Sequence, residues 1–229
     1  MRACLSRGIL LGLLAGAGVP RILAQNAPFT FEGFLDSTIL TNQYTGATFA
    51  NAIILTAGIS LNEFEFPPHS GSNVSSDNGG PIAISFASPL RSFSGYFTYS
   101  VPLTLQALDS SNHLLFSAAS AFSNNEALSG VSGSHPNELL LVNSSTGIYK
   151  IVIAGSSQGT SLTIDDVTVI TECDLNQDGY TNVTDVQTIV NESLGVTAAN
   201  NDLNGGGAVN VVDVQIVIDA ALGLGCTAK

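Results

Sequence analysis

The chain has 229 residues, 45% of them hydrophobic and only 10% charged, and its 18 carboxylates outnumber six Lys and Arg for a formal charge of −12. That balance excludes a nucleic-acid binder and a protein drawn to anionic membrane surfaces, since both need clustered cations; it suits cation binding instead. Abundant Gly, the lack of Trp and the low charge density point to a β-rich exported chain rather than a cytosolic helical one.

At the N-terminus Arg2 and Arg7 precede the apolar run Gly8–Val19, and Ile22-Leu23-Ala24 follows. A charged stretch, an apolar stretch and small residues, in that order, predict a secretory signal peptide over residues 1–24 and an extracellular protein. The run is too short to span a bilayer comfortably, and no later segment is long and apolar enough to do so. Cys4 lies ahead of the run and is not placed as a lipoprotein cysteine. Beyond residue 24 only Arg91, Lys150 and Lys229 oppose the 18 carboxylates.

Residues 25–171 read as many short strands separated by Gly, Asn, Ser and Pro. Apolar and polar residues alternate over Ile82–Phe86, Leu103–Gln106, Ile148–Val152 and Leu162–Asp165, with turn signals such as Asn78-Gly-Gly-Pro81 and Asp109-Ser-Ser-Asn112 between. This pattern predicts an antiparallel β-sandwich of jelly-roll kind. Phe31-Glu-Gly-Phe34, Thr41-Asn-Gln-Tyr44, Phe66-Pro-Pro-His-Ser-Gly71 and Ile164-Asp-Asp-Val167 resemble β-sandwich domains of secreted bacterial proteins with varied C-terminal sorting tails. The resemblance implies a lectin-like shape and no particular activity.

Chemistry in this stretch is sparse. Glu63 and Glu65 alternate with Phe64 and Phe66, so they read either as a glycosidase carboxylate pair on one strand face or as a solvated strand edge. Asp165 and Asp166 point to opposite strand faces, and one of them could join Glu32 or Asp36 in a structural calcium site. His69, His113 and His135 show no zinc or triad spacing. Tyr44, Tyr96, Tyr99 and Tyr149 are either core or rings of a sugar-binding platform. Asn73, Asn143, Asn182 and Asn191 begin glycosylation sequons.

The tail, residues 172–229, carries one acidic pattern twice, 28 residues apart. The first copy runs from Asp174 through Asn176, Asp178, Gly179 and Asn182 to Asp185; the second from Asp202 through Asn204, Gly206, Gly207 and Asn210 to Asp213. Oxygen-bearing side chains at loop positions 1, 3, 5, 9 and 12 with Gly at 6 are what an EF-hand-type calcium loop needs. An apolar stripe follows each loop: Val183, Val186, Ile189, Val190, Leu194, then Gly195; and Val211, Val214, Val217, Ile218, Leu222, then Gly223. Steps of three and four predict a helix, and each Gly sits at its C-terminal cap. No helix is predicted before either loop. Cys173 and Cys226 bracket the repeats, and in an exported chain they are expected to pair. The closed loop of 54 residues contributes about 4 kcal/mol in the chain-entropy model.

The duplicated Asp-x-Asn-x-Asp-Gly-x-x-Asn-x-x-Asp loop, each copy followed by a helix ending in Leu-Gly, resembles a type I dockerin over residues 173–226. The resemblance implies a pair of helices with two structural Ca2+ ions that docks onto a cohesin domain, commonly to assemble polysaccharide-degrading enzymes. Carried over, the first ion takes Asp174, Asn176, Asp178, the carbonyl of Tyr180, a water near Asn182, and Asp185. The second takes Asp202, Asn204, the carbonyl of Ala208, a water near Asn210, and Asp213. Gly206 replaces the position-5 carboxylate, which predicts a weaker second site. Docking contacts fall on Val183-Thr184 and Val211-Val212, whose valines read equally as core. The basic residues frequent in the helices of such modules are replaced by Val190-Asn191 and Ile218-Asp219.

The expected fold class is mainly β: an antiparallel sandwich followed by a small helical module with two EF-hand-like loops. The expected function is a secreted, non-catalytic interaction protein attached through a cohesin-type partner. The alternatives are a carbohydrate-binding accessory of polysaccharide breakdown and, less favoured, a glycoside hydrolase.

Overall fold

The computed structural model describes residues 28–228; the expected signal peptide lies outside them. Nine strands come first: β1 (Ile39–Leu40), β2 (Ala47–Ala50), β3 (Ala52–Thr56), β4 (Asn73–Asn78), β5 (Ile82–Tyr99), β6 (Thr104–Leu108), β7 (Leu114–Ala119), β8 (Glu138–Ala154) and β9 (Gly159–Thr171). Two helices follow, α1 (Val183–Ser193) and α2 (Val211–Ala221). All strand pairings are antiparallel, in the order β1-β3-β4-β9-β5-β8-β6-β7, with β2 also on β5. The predicted mainly β, antiparallel architecture is thus present.

The long strands make the sandwich. The first part of β5, Ile82–Ser85, pairs with Lys150–Ile153 of β8 and with β2, whereas Ser92–Phe97 pairs with Glu138–Asn143 of β8 and with β9. Between these parts the register slips twice. Pro89 lies in the slip, where a residue without an N–H is tolerated. Gly147 stands opposite at φ +83°, and a Cβ there would lie 2.9 Å from the Pro89 ring. The slip also switches which side chains face inward: Ile82, Ile84 and Phe86 are buried before it, Phe93, Phe97 and Tyr99 after it. A one-residue slip flips every side chain across a sheet, so the two halves of β5 fill one core from different parities. That core joins Phe29, Phe31, Tyr44 and Phe49 to Ile148, Ile151, Ile164 and Val167.

The second half of β5 leaves its other face outward. Tyr96 lies opposite Leu139, Ser94 between Leu141 and Thr168, and Ser92 between Asn143 and Ile170. Leu139 and Leu141 are exposed.

Several expectations are corrected. Asn62–Phe66 is a turn closed by the N–H groups of Glu65 and Phe66 on the Asn62 carbonyl, not a strand. Phe64 is 77% exposed, so no apolar face opposes Glu63 and Glu65. Their carboxylates accept from the Gly58 N–H and the Asn62 amide. Asn73 is buried, with its amide donating to the carbonyls of Phe31 and Phe34, so its sequon is a structural knot. Tyr44 and Tyr99 are core; Tyr96 and Tyr149 are half-buried.

The helices pack on a second, smaller core of Ile189, Leu203, Ile216, Val217 and Ala220 beside the Cys173–Cys226 disulfide, whose Cα atoms are 5.8 Å apart. Both helices end in a Schellman turn: Gly195 and Gly223 take positive φ, and the following N–H reaches back to Asn191 and Asp219 carbonyls. The stripe ends turn outward. Val183 and Val211 are 78% and 76% exposed, and Leu194 and Leu222 are exposed with them.

Candidate functional site

The two acidic loops share one hydrogen-bond scaffold. In the first, the Asp174 carboxylate accepts the N–H groups of Asp178 (3.2 Å) and Gly179 (2.8 Å). Asp185 accepts those of Leu175, Asn176 and Asn182 at 2.8–3.1 Å. In the second, Asp202 accepts from Gly206 and Gly207, and Asp213 from Asn204 and Asn210. The position-3 side chains match too, with Asn176 Oδ1 taking the Asp178 N–H and Asn204 Oδ1 the Gly206 N–H. At position 7 the carbonyls of Tyr180 and Ala208 each accept the amide of the Asn two residues on.

Asn182 and Asn210 have a role the spacing does not disclose. Each is the N-cap of its helix, accepting the Thr184 or Val212 N–H, while Asp185 or Asp213 closes a capping box. The last carboxylate of each loop therefore fixes the helix start as well as the loop. Glu192 carries no signal in the sequence pattern. It is buried in α1 and accepts the N–H groups of Asn200 and Asn201 and the Asn201 amide, which ties down the link to the second loop.

Among the described residues no three His, Cys, Asp or Glu side chains are grouped as a metal cluster. The loop donors are mixed: carboxylates, Asn oxygens and one carbonyl per loop. Their fit to a hard cation rests on charge. Residues 173–228 hold seven carboxylates and no Lys, Arg or His. Asp174 is 2% exposed, and Asp185 and Asp213 are fully buried. Burial holds the Asp174 carboxyl above the usual carboxylate range, and the charges of Asp185 and Asp178 push the same way. Buried carboxylates that repel one another, with no cationic side chain between residues 173 and 228, suit a divalent ion bound by oxygen. Gly206 removes one carboxylate from the second loop.

The first loop is built against the sandwich without a linker: β9 ends at Thr171 and the loop begins at Asp174. Arg91 Nε meets Glu172 Oε2 at 2.5 Å, and the hydroxyls of Thr171 and Thr181 lie 3.4 Å apart. A cleft of about 610 Å³ opens at this junction. Ser92, Leu141, Asn143 and Ile170 of the sheet and Gln177 of the loop line it, together with the Arg91–Glu172 pair.

The remaining polar candidates are separate. Asp165 is 1% exposed and accepts the N–H groups of His69 and Ser70. Glu32 takes those of Ser72 and Asn73, and Asp36 that of Thr56. The three carboxylates pin the 56–73 segment. Burial pushes the Asp165 carboxyl up to about 6, with the Asp166 charge adding to it. The His69 ring stacks on Tyr96 at 3.5 Å and meets Asp166 at 2.7 Å. His113 and His135 lie apart from this group, with Asp109 and the Pro136 carbonyl.

No helix among the described residues is long and apolar enough to cross a membrane. No family model and no curated protein matches the chain. Among solved structures it is similar to the K2 cleaved adhesin domain of Lys-gingipain, at 13% identity and a TM-score of 0.40 over 61% of this chain and 96% of that one. It is similar to TmCBM61 in complex with β-1,4-galactotriose (13%, TM-score 0.33, 56% and 89%). It is also similar to CsCBM6-3 from Clostridium stercorarium in complex with cellobiose (17%, TM-score 0.32, 58% and 92%). At these identities and scores none of the three carries a ligand or an activity over to this chain.

Proposed function

We propose that residues 173–226 form a calcium-loaded docking module of dockerin type, and that the protein is a secreted, non-catalytic interaction protein whose β-sandwich is attached through a cohesin-type partner. The observation that carries this reading is the repeated loop scaffold, with Val183 and Val211 exposed just after it. Ca2+ supplies the positive charge that the loop carboxylates lack. Asp174, Asn176, Asp178, the Tyr180 carbonyl and Asp185 hold the first ion; Asp202, Asn204, the Ala208 carbonyl and Asp213 hold the second. Since Asp185 and Asp213 also close the helix caps, ion binding and helix orientation are coupled. Val183, Thr184, Val211 and Val212 then present an apolar rim to the partner.

The test is capture of a cohesin-type protein from the source organism's secretome on the immobilised full chain, with calcium and with chelator. Capture is expected only with calcium and is lost in Val183→Asp/Val211→Asp. A catch indifferent to calcium, or no catch, contradicts the reading.

A second reading concerns the sandwich itself: that it recognises carbohydrate, in keeping with extracellular polysaccharide breakdown. It is favoured by the outer face of β8, β5 and β9, where exposed Leu139 and Leu141 lie among Ser92, Ser94, Asn143 and Thr168. Sugars present just such a mixture of hydroxyls and apolar C–H faces.

A further inference from the structure

The junction cleft combines three features that the docking function leaves unused. Its volume of about 610 Å³ falls within the range of small-molecule sites. Its charge is internally neutral, since the one Arg is paired with Glu172. In a chain of formal charge −12, that pairing disfavours an anionic ligand, and the lone acid offers little to a cationic one. What remains are neutral donors and acceptors, the amides of Asn143 and Gln177 and the Ser92 hydroxyl, around an apolar wall of Leu141 and Ile170. Neutral polyhydroxylated molecules answer to that chemistry.

Gln177 supplies an independent observation. It sits at loop position 4 with φ +59°, a left-handed conformation that costs a non-Gly residue roughly 1–2 kcal/mol. The same position in the second loop is Gly205, at φ +68° with nothing within 4 Å of where a Cβ would stand. The loop geometry thus asks for glycine at this position, and the first loop carries a side chain there that lines the cleft. Strain of this kind is held in place by the surrounding structure and clusters at ligand-binding sites. From the cleft the face continues along β5 from Ser92 to Tyr96, roughly 13 Å at strand spacing, to the stacked His69–Tyr96 pair.

We propose that the junction cleft is a binding site for a neutral oligosaccharide, built jointly by the sandwich and the first loop, and that calcium in that loop strengthens sugar binding by holding Gln177 in place. The proposal rests on the carbohydrate reading of the sandwich and adds the location and the coupling. Coupling of this sort is reciprocal, so the sugar raises calcium affinity at the first loop by the same factor.

The experiment is calorimetry on the full chain with cello-, xylo-, manno- and galacto-oligosaccharides, in calcium and in chelator. At least one is expected to bind, several-fold more weakly in chelator. Asn143→Ala and Leu141→Asp should each lower its affinity about tenfold, the loss of one good contact. Gln177→Gly should lower sugar affinity while the calcium isotherm persists, since glycine relieves the loop and position 4 holds no ion. If a sugar binds but all three variants stay within about twofold of the parent, the cleft is refuted and carbohydrate recognition survives elsewhere. If the variants lose binding but chelator has no effect, the coupling is refuted. If no sugar binds at millimolar concentration, both the site and the carbohydrate reading fall.

Discussion

Restoring the missing carboxylate is the sharpest perturbation of the paired loops. Gly206 has no positive φ, so its backbone accepts a side chain. A Cβ there would meet Asn204 Oδ1 at 2.5 Å, and the Asn204 amide must shift. The first loop shows how far: Asn176 Oδ1 lies 3.1 Å from the Asp178 N–H nitrogen, against 2.6 Å for Asn204 and Gly206. A shift of a few tenths of an ångström in a flexible side chain is cheap. Because Gly206 is exposed, a water-like medium applies. A divalent ion and a carboxylate about 4 Å apart then attract by about 2 kcal/mol, twice the value for unit charges. Gly206→Asp should therefore tighten the second site about thirtyfold. In calcium calorimetry the parent is expected to show two unequal steps and the variant two nearly equal ones; Asp178→Gly should weaken the first step by a similar factor. A second step unmoved by Gly206→Asp would refute the assignment of position 5 as a ligand.

Four further outcomes are expected. Cys173→Ser/Cys226→Ser should cost about 4 kcal/mol in denaturant unfolding of the tail, from the 54-residue loop, and a loss below about 1 kcal/mol would count against the clasp. Gly71→Ala should destabilise the sandwich by at least about 2 kcal/mol, since φ is +57° and its Cβ would lie 2.2 Å from the Glu32 carboxylate that caps the Ser72 and Asn73 N–H groups. Because the folded Asp165 carboxyl is raised above its unfolded value, the native state binds the extra proton, so stability falls as pH rises from about 4 through about 6, by up to about 3 kcal/mol; unfolding of the parent and Asp165→Asn should diverge over that window and nowhere else. Asn182→Ala should cost about 1 kcal/mol of helix stability without abolishing calcium binding, as a lost N-cap does.

The loops were legible because their oxygen-bearing groups are local: twelve consecutive residues carry both the side-chain oxygens and the turn glycine, and Gly195 and Gly223 mark the helix ends as directly. The outward face of the helices was not legible. Val183 and Val211 keep the helical phase of the core stripe, yet each sits in the first turn, beyond the reach of the small core around Ile189 and Val217. Glu63–Phe66 misled for a related reason. Four alternating residues fit a strand, but Asn62 closes them into a turn by accepting two N–H groups. The parity switch in β5 depends on a register slip against β8, which no local pattern announces. The junction cleft joins Arg91 to Glu172, 81 residues apart, and so appears only when the chain is folded.

The most direct test of the central claim is equilibrium dialysis of the full chain against calcium. Two ions per chain are expected at saturation, with one bound well before the other, falling to one in Asp174→Asn and again to one in Asp202→Asn. No bound calcium at millimolar concentration, or a stoichiometry that neither variant changes, would contradict it.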